Sequence, residues 1–164
     1  ILEYNTSVLE LIHRYKYRGE RDLAGAMIYW MSKALKEKSW SIHGIVPVPL
    51  HPIRKRQRGF NQAELLAKGI CQNLNIPFIG DKLIRIKNTP KQSKLGRAER
   101  LKNLEGAFMV IPSSKKIDPL NNKNLLLVDD VYTTGSTVHR CARTLIDAGA
   151  HRVYVITLAM GLGY

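Results

Sequence analysis

Two adjacent carboxylates, Asp129 and Asp130, close the apolar run Leu125 to Val128, and Thr133, Thr134, Gly135, Ser136 and Thr137 follow just as a helical pattern begins. The run reads as a buried strand whose carboxyl end carries both acids, which is where open α/β sheets bind ligands. At the start of the following helix, free backbone N–H groups and the positive end of the helix dipole converge on one spot, and a phosphate group fits there. Carboxylates beside a phosphate need donors between them, and the 2- and 3-hydroxyls of a ribose supply them. Charge-assisted hydrogen bonds of this kind are worth about 1.5 to 3 kcal/mol each. The expected ligand is therefore a phosphorylated ribose. A Walker motif is missing its Gly-Lys-Ser/Thr ending, and Gly-x-Gly-x-x-Gly is absent, so nucleoside triphosphate and dinucleotide sites lose support. The plainer alternative is a helix N-cap by Thr134 or Ser136, with Asp129 merely ending a strand.

The chain has 164 residues, with 26 Lys plus Arg against 13 Asp plus Glu, a formal charge of +13. Such an excess attracts polyanions, either nucleic acid or a substrate with several phosphates. It is concentrated in two places. Arg54, Lys55, Arg56 and Arg58 crowd one turn-like segment, and Lys82, Arg85, Lys87, Lys91, Lys94, Arg97, Arg100 and Lys102 populate the next linker, which holds the long polar stretch from Asn88 to Asn103, with only Asp81 and Glu99 opposing them. A solvated basic face is the plainer alternative for either run, and a nucleic-acid tether is a further one for the second. Cys71 and Cys141 lie far apart inside helical stretches, without a Cys-x-x-Cys pair, and read as buried thiols.

The elements that position these residues follow from periodicity. Helices are expected over residues 5–17, 21–38, 61–73 and 136–148, the last stopped by Gly149, and strands over 44–48, 83–86, 107–110, 125–128 and 153–158. Strand, turn, helix and strand from Leu125 to Leu158 form a βαβ unit, which implies a parallel sheet covered on both faces. The length suits one domain, residues 1–164, with the N-terminal helices in 1–40 and the core in 41–160. No apolar run approaches the roughly 20 residues that span a bilayer, and the first residues have no signal-peptide pattern. A cytoplasmic protein without membrane insertion is expected.

The segment from Leu125 to Thr137 resembles the fingerprint of type I phosphoribosyltransferases: an apolar strand, two acids, a variable pair, then Thr-Thr-Gly-x-Thr. The resemblance implies an α/β fold with a central, mostly parallel sheet, helices on both faces and a small hood. It assigns the ribose hydroxyls of phosphoribosyl pyrophosphate to Asp129 and Asp130, and the 5-phosphate to Thr133, Thr134, Gly135, Ser136 and Thr137. Ser136 stands where the family often has glycine. The family's diphosphate loop resembles Val46-Pro47-Val48-Pro49 and the following Leu50 to Gly59, where Arg54, Lys55, Arg56 and Arg58 would meet the leaving group. Its flexible catalytic loop resembles Thr89 to Asn103, with Lys91, Arg97 and Arg100 as diphosphate contacts. Mg²⁺ would bridge diphosphate and ribose oxygens, with no direct metal ligation by side chains.

A narrower resemblance spans nearly the whole chain. Lys16-Tyr17-Arg18-Gly19, Pro47-Val48-Pro49, Arg58-Gly59-Phe60-Asn61-Gln62-Ala63, Thr89 to Gln92, Arg97 to Asn103, Gly106-Ala107-Phe108 and Val128 to Thr137 are similar to the ComF family of competence proteins. That similarity implies a part in DNA uptake during natural transformation, single-stranded DNA as a partner and contacts with other competence proteins. The Cys-rich zinc ribbon of many members has no counterpart among these residues. Three functions remain open: a phosphoribosyl pyrophosphate binder whose basic surface holds single-stranded DNA, a transferase moving phosphoribose to a nucleobase-like acceptor with release of pyrophosphate, and DNA binding without any sugar phosphate. A transferase needs an acceptor pocket, which the phosphoribosyltransferase resemblance implies would be a hood from residues 5–21 and 160–164, with Tyr15, Tyr17 and Tyr164 to stack a base; core packing is the plainer role for Tyr15.

Overall fold

The structure is a computed structural model that describes residues 2–3, 23–89, 99, 102–113, 118 and 120–160. Its order is β1 (Leu2–Glu3), α1 (Leu23–Lys36), β2 (Gly44–Pro47), α2 (Pro52–Arg58), α3 (Gln62–Leu74), β3 (Leu83–Arg85), β4 (Phe108–Val110), β5 (Asn124–Tyr132), α4 (Ser136–Asp147) and β6 (Arg152–Met160). The expected helix over residues 5–17 lies outside the described residues.

Leu125, Leu126, Leu127 and Val128 are completely buried. A strand apolar on both faces belongs in the middle of a parallel sheet with a layer on each side. β5 is indeed central: the sheet runs β1-β6-β5-β2, and all three pairings are parallel. On one face Ile45, Leu126 and Val128 pack with Met27, Met31 and Leu35 of α1 and Leu66 and Ile70 of α3. On the other, Val46, Leu125 and Leu127 pack with Val138, Cys141 and Leu145 of α4. The antiparallel pair β3 and β4 adds Leu83 and Phe108 to that second layer. The α/β architecture with a parallel sheet between helices is as expected. Both cysteines are buried free thiols. Burial raises the Cys71 pKa to about 11.

One expectation is corrected. Leu50 to Gly59 was expected to be a loop, but Pro52–Arg58 forms a helix. His51 caps it, its Nδ1 accepting from the Ile53 N–H at 3.3 Å. Pro52 opens it and Gly59 closes it at φ 79°. Proline at the first helical position and glycine just past the last are helix punctuation, and a charge-rich segment between them imitates a turn. Among the described residues no helix is long and apolar enough to cross a membrane.

Candidate functional site at the carboxyl edge of the sheet

Parallel pairing of β2 with β5 matches Pro47 to Val128, so the two chain exits lie side by side. The Val48 N–H donates to the Val128 carbonyl at 2.8 Å and extends the contact by one residue. Asn61 then fixes the β2 exit. Its Nδ2 donates to the Val48 carbonyl at 3.1 Å, and its Oδ1 accepts from the Ala63 N–H at 3.2 Å, capping α3. This is the physical content of the Arg58-Gly59-Phe60-Asn61-Gln62 segment: one buried amide ties a strand end to a helix start.

The acids sit where the pleat of β5 breaks. Leu126 and Val128 face the α1/α3 layer and Leu125 and Leu127 the α4 layer, so strict alternation would send Val131 to α4 and Tyr132 to α1. They do the reverse. In the ladder, Asp129 pairs with Thr157 and Val131 with Ala159. Asp130 is 8% exposed, and its N–H donates to Asp129 Oδ1 at 2.9 Å. Irregularities of this kind near the rim of a sheet re-aim side chains.

The turn that follows has its own geometry. Gly135, at φ 74°, is the N-cap of α4, and no side chain caps this helix. The N-cap alternative through Thr134 or Ser136 therefore does not hold; those two hydroxyls bond to each other, with oxygens 3.0 Å apart. The His139 N–H donates to the Gly135 carbonyl at 2.8 Å and begins the helical ladder. The N–H groups of Ser136, Thr137 and Val138 come before it, a fixed set of donors at the positive helix end. Tyr132 leans over the turn: a Cβ on Gly135 would lie 2.2 Å from its hydroxyl oxygen. Thr133 is exposed, Thr134 and Thr137 are half-buried and Ser136 is buried.

The basic residues of α2 do not act as a single cluster. Arg54 reaches across to donate to the Thr89 carbonyl. Lys55 pairs with Glu64 at 2.9 Å, and Lys68 holds the same carboxylate at 2.8 Å. Burial alone raises the Glu64 pKa, but the two ammonium groups outweigh it and the net shift is downward. Arg58 donates to the Gln62 Oε1 at 3.2 Å, and Arg56 is exposed. Lys91, Arg97, Arg100, Tyr15, Tyr17 and Tyr164 lie outside the described residues.

In the sequence Arg85 is only one cation of a basic run, and the structure brings it within the electrostatic reach of Arg54 and Asp129. It donates to the Thr89 hydroxyl and to the Lys87 carbonyl, the latter at 3.3 Å. Its guanidinium lies over the Phe108 ring, 5.4 Å from the centroid. Burial and the neighbouring Arg54 lower its pKa, while Cys141 and Asp129 oppose them. Arg54 and Arg85 thus meet at Thr89, with the field of Asp129 on one side. The one sequence signal for Arg85 was a cation inside a short apolar strand, where a long side chain has to find a partner.

A cavity of about 600 Å³ adjoins this edge, walled by α1 and β6, with Tyr132, Thr157 and Met160 at the end near the acids. Among the described residues no group of three or more His, Cys, Asp or Glu side chains is placed to hold a metal ion.

No family model matches the chain. It is 35% identical over 150 residues to competence protein ComFC of Bacillus subtilis (strain 168), covering 91% of this chain and 58% of that protein. Competence protein F of Haemophilus influenzae (strain ATCC 51907 / DSM 11121 / KW20 / Rd) is 32% identical, covering 91% and 66%. DNA utilization protein YhgH of Escherichia coli (strain K12) is 30% identical, covering 99% and 71%. The chain thus spans 58% of the first of these relatives and 71% of the last. Among solved structures, glutamine phosphoribosylpyrophosphate amidotransferase from B. subtilis superposes with a TM-score of 0.57 at 18% identity, covering 89% of this chain and 30% of that one. The purine phosphoribosyltransferase from Pyrococcus horikoshii Ot3 superposes at 0.50 and 17% identity, covering 83% and 72%. The fold is that of the phosphoribosyltransferases.

Proposed function

Because this chain belongs to the ComF family of competence proteins, we propose that it binds phosphoribosyl pyrophosphate at the carboxyl edge of its sheet and serves DNA uptake in natural transformation, with a basic surface for single-stranded DNA. The observation that carries the sugar-phosphate reading is the pair Asp129 and Asp130 at the break in β5, followed by a helix that starts from Gly135 in the left-handed conformation without a side-chain cap. In this reading Asp129 and Asp130 accept from the ribose 2- and 3-hydroxyls. The N–H groups after Gly135, with the hydroxyls of Thr133, Thr134, Ser136 and Thr137, take the 5-phosphate. The diphosphate then extends toward Arg54 and Arg85 beside the β2 exit, and toward Lys91, Arg97 and Arg100 in the following segment. Lys55, which also pairs with Glu64, Arg56 and Arg58 complete the diphosphate set and supply the basic surface for nucleic acid. Mg²⁺ would enter with the ligand and supply charge neutralisation at the diphosphate; no side-chain ligand is assigned to it, since the ion favours phosphate oxygens and water.

A second reading, phosphoribosyl transfer to a nucleobase-like acceptor, draws support from the cavity, since Thr157 of its wall is the ladder partner of Asp129. Space next to the ribose is what an acceptor requires. Calorimetric titration with phosphoribosyl pyrophosphate and Mg²⁺ tests the first reading: a saturable single site is expected, with ribose 5-phosphate and pyrophosphate each competing for part of it. A flat titration contradicts it. Pyrophosphate release in the presence of free nucleobases separates transferase from binder.

A further inference from the structure

Tyr29 and Trp30 are 58% and 57% exposed on the outer face of α1, although the rest of that helix packs its large apolar residues inward. Their rings meet edge to face, with centroids 5.4 Å apart. The Lys33 ammonium sits 5.5 Å from the Trp30 ring centroid, and Lys36 ends the same helix. Trp30, Lys33 and Lys38 also border the cavity. Near it Trp40 stacks flat on Tyr154 at 4.5 Å and 8°, with Arg152 5.9 Å from the Tyr154 ring. Between residues 29 and 38 the charged side chains are Lys33, Lys36 and Lys38 against Glu37.

Solvent-facing aromatic rings cost hydrophobic stabilisation unless something covers them, and ammonium groups among them disfavour another apolar protein face. The combination suits a chain of flat bases on an anionic backbone: rings stack on bases without sequence preference while lysines follow the phosphates. We propose that the outer face of α1, centred on Tyr29, Trp30 and Lys33, is a stacking platform for single-stranded nucleic acid, separate from the sugar-phosphate site. This rests on the nucleic-acid part of the function proposed above, and it adds stacking contacts on α1 to the cations of α2.

The test uses the full chain, a fluorescently labelled oligothymidylate and the change of affinity with salt. Trp30→Ala with Tyr29→Ala should weaken binding by about 30-fold to 10⁴-fold, as expected from two stacked bases at roughly 1 to 3 kcal/mol each, without changing the salt slope. Lys33→Gln with Lys36→Gln should instead flatten the slope, by about 0.7 for each lost phosphate contact. Intrinsic tryptophan fluorescence should be quenched by oligothymidylate and not by ribose 5-phosphate. If the aromatic double variant binds as the unaltered protein does, and Arg54→Gln with Lys55→Gln and Arg56→Gln abolishes binding, the platform is wrong and the DNA reading stands. If the unaltered protein binds no oligonucleotide, both fall. Unchanged DNA affinity together with a loss of self-association in sedimentation would show the face to be a protein interface and overturn the proposal.

Discussion

Replacing Asp129 and Asp130 together by asparagine should lower affinity for phosphoribosyl pyrophosphate by about 10²- to 10⁴-fold, the loss of two charge-assisted hydrogen bonds at about 1.5 to 3 kcal/mol each. Asparagine keeps the size of the side chain and a carbonyl acceptor, so the effect reports charge rather than shape. The acids lie past the completely buried Leu125 to Val128 segment, and that core is untouched by the change. A cooperative melt and a native circular dichroism spectrum should persist. Calorimetry on the double variant checks this, and an affinity within twofold of the unaltered protein would remove both acids from the site.

Gly135→Ala should damage both the turn and its ligand. At φ 74° an L-residue pays about 1 to 2 kcal/mol for the left-handed conformation. The new methyl also falls 2.2 Å from the Tyr132 hydroxyl oxygen. The phenol can swing away, but the backbone strain has no such exit. A fall in melting temperature of about 2 to 8 °C is expected for a chain of this size, with affinity for ribose 5-phosphate down at least tenfold as the N–H groups of α4 lose their alignment. Adding Tyr132→Ala should relieve the collision and recover part of the stability, leaving the portion due to φ. Normal ribose 5-phosphate binding by Gly135→Ala would mean that the helix start does not hold the phosphate.

The unit from Leu125 to Leu158 was legible in the sequence because its signals agree: a four-residue apolar run, a Thr/Gly turn and a helix of clear periodicity lead into another apolar strand. Its observed strands are longer than expected, Asn124–Tyr132 and Arg152–Met160, because ladder pairing carries polar residues that no hydrophobic pattern marks. α2 was missed for the opposite reason: it buries no residue, so it has no periodic apolar face, and only His51, Pro52 and Gly59 announce it. The break in the pleat at Asp129 and Asp130 depends on how two neighbouring strands pack together, which no local pattern encodes. Arg85 was hidden in the same way, since its nearness to Arg54 and Asp129 comes from β3 folding against the layer that holds α4. Tyr29 and Trp30 fit a helical pattern, and their exposure emerged only once Met27, Met31 and Leu35 were seen to supply the buried face.

A crystal structure of the protein with phosphoribosyl pyrophosphate and Mg²⁺ bears most directly on the sugar-phosphate site. The expected picture has the ribose 2- and 3-hydroxyls within hydrogen-bond distance of the Asp129 and Asp130 carboxylates, and the 5-phosphate against the N–H groups that follow Gly135. Density for the ligand lying along α2, with both acids turned away from it, would contradict the assignment.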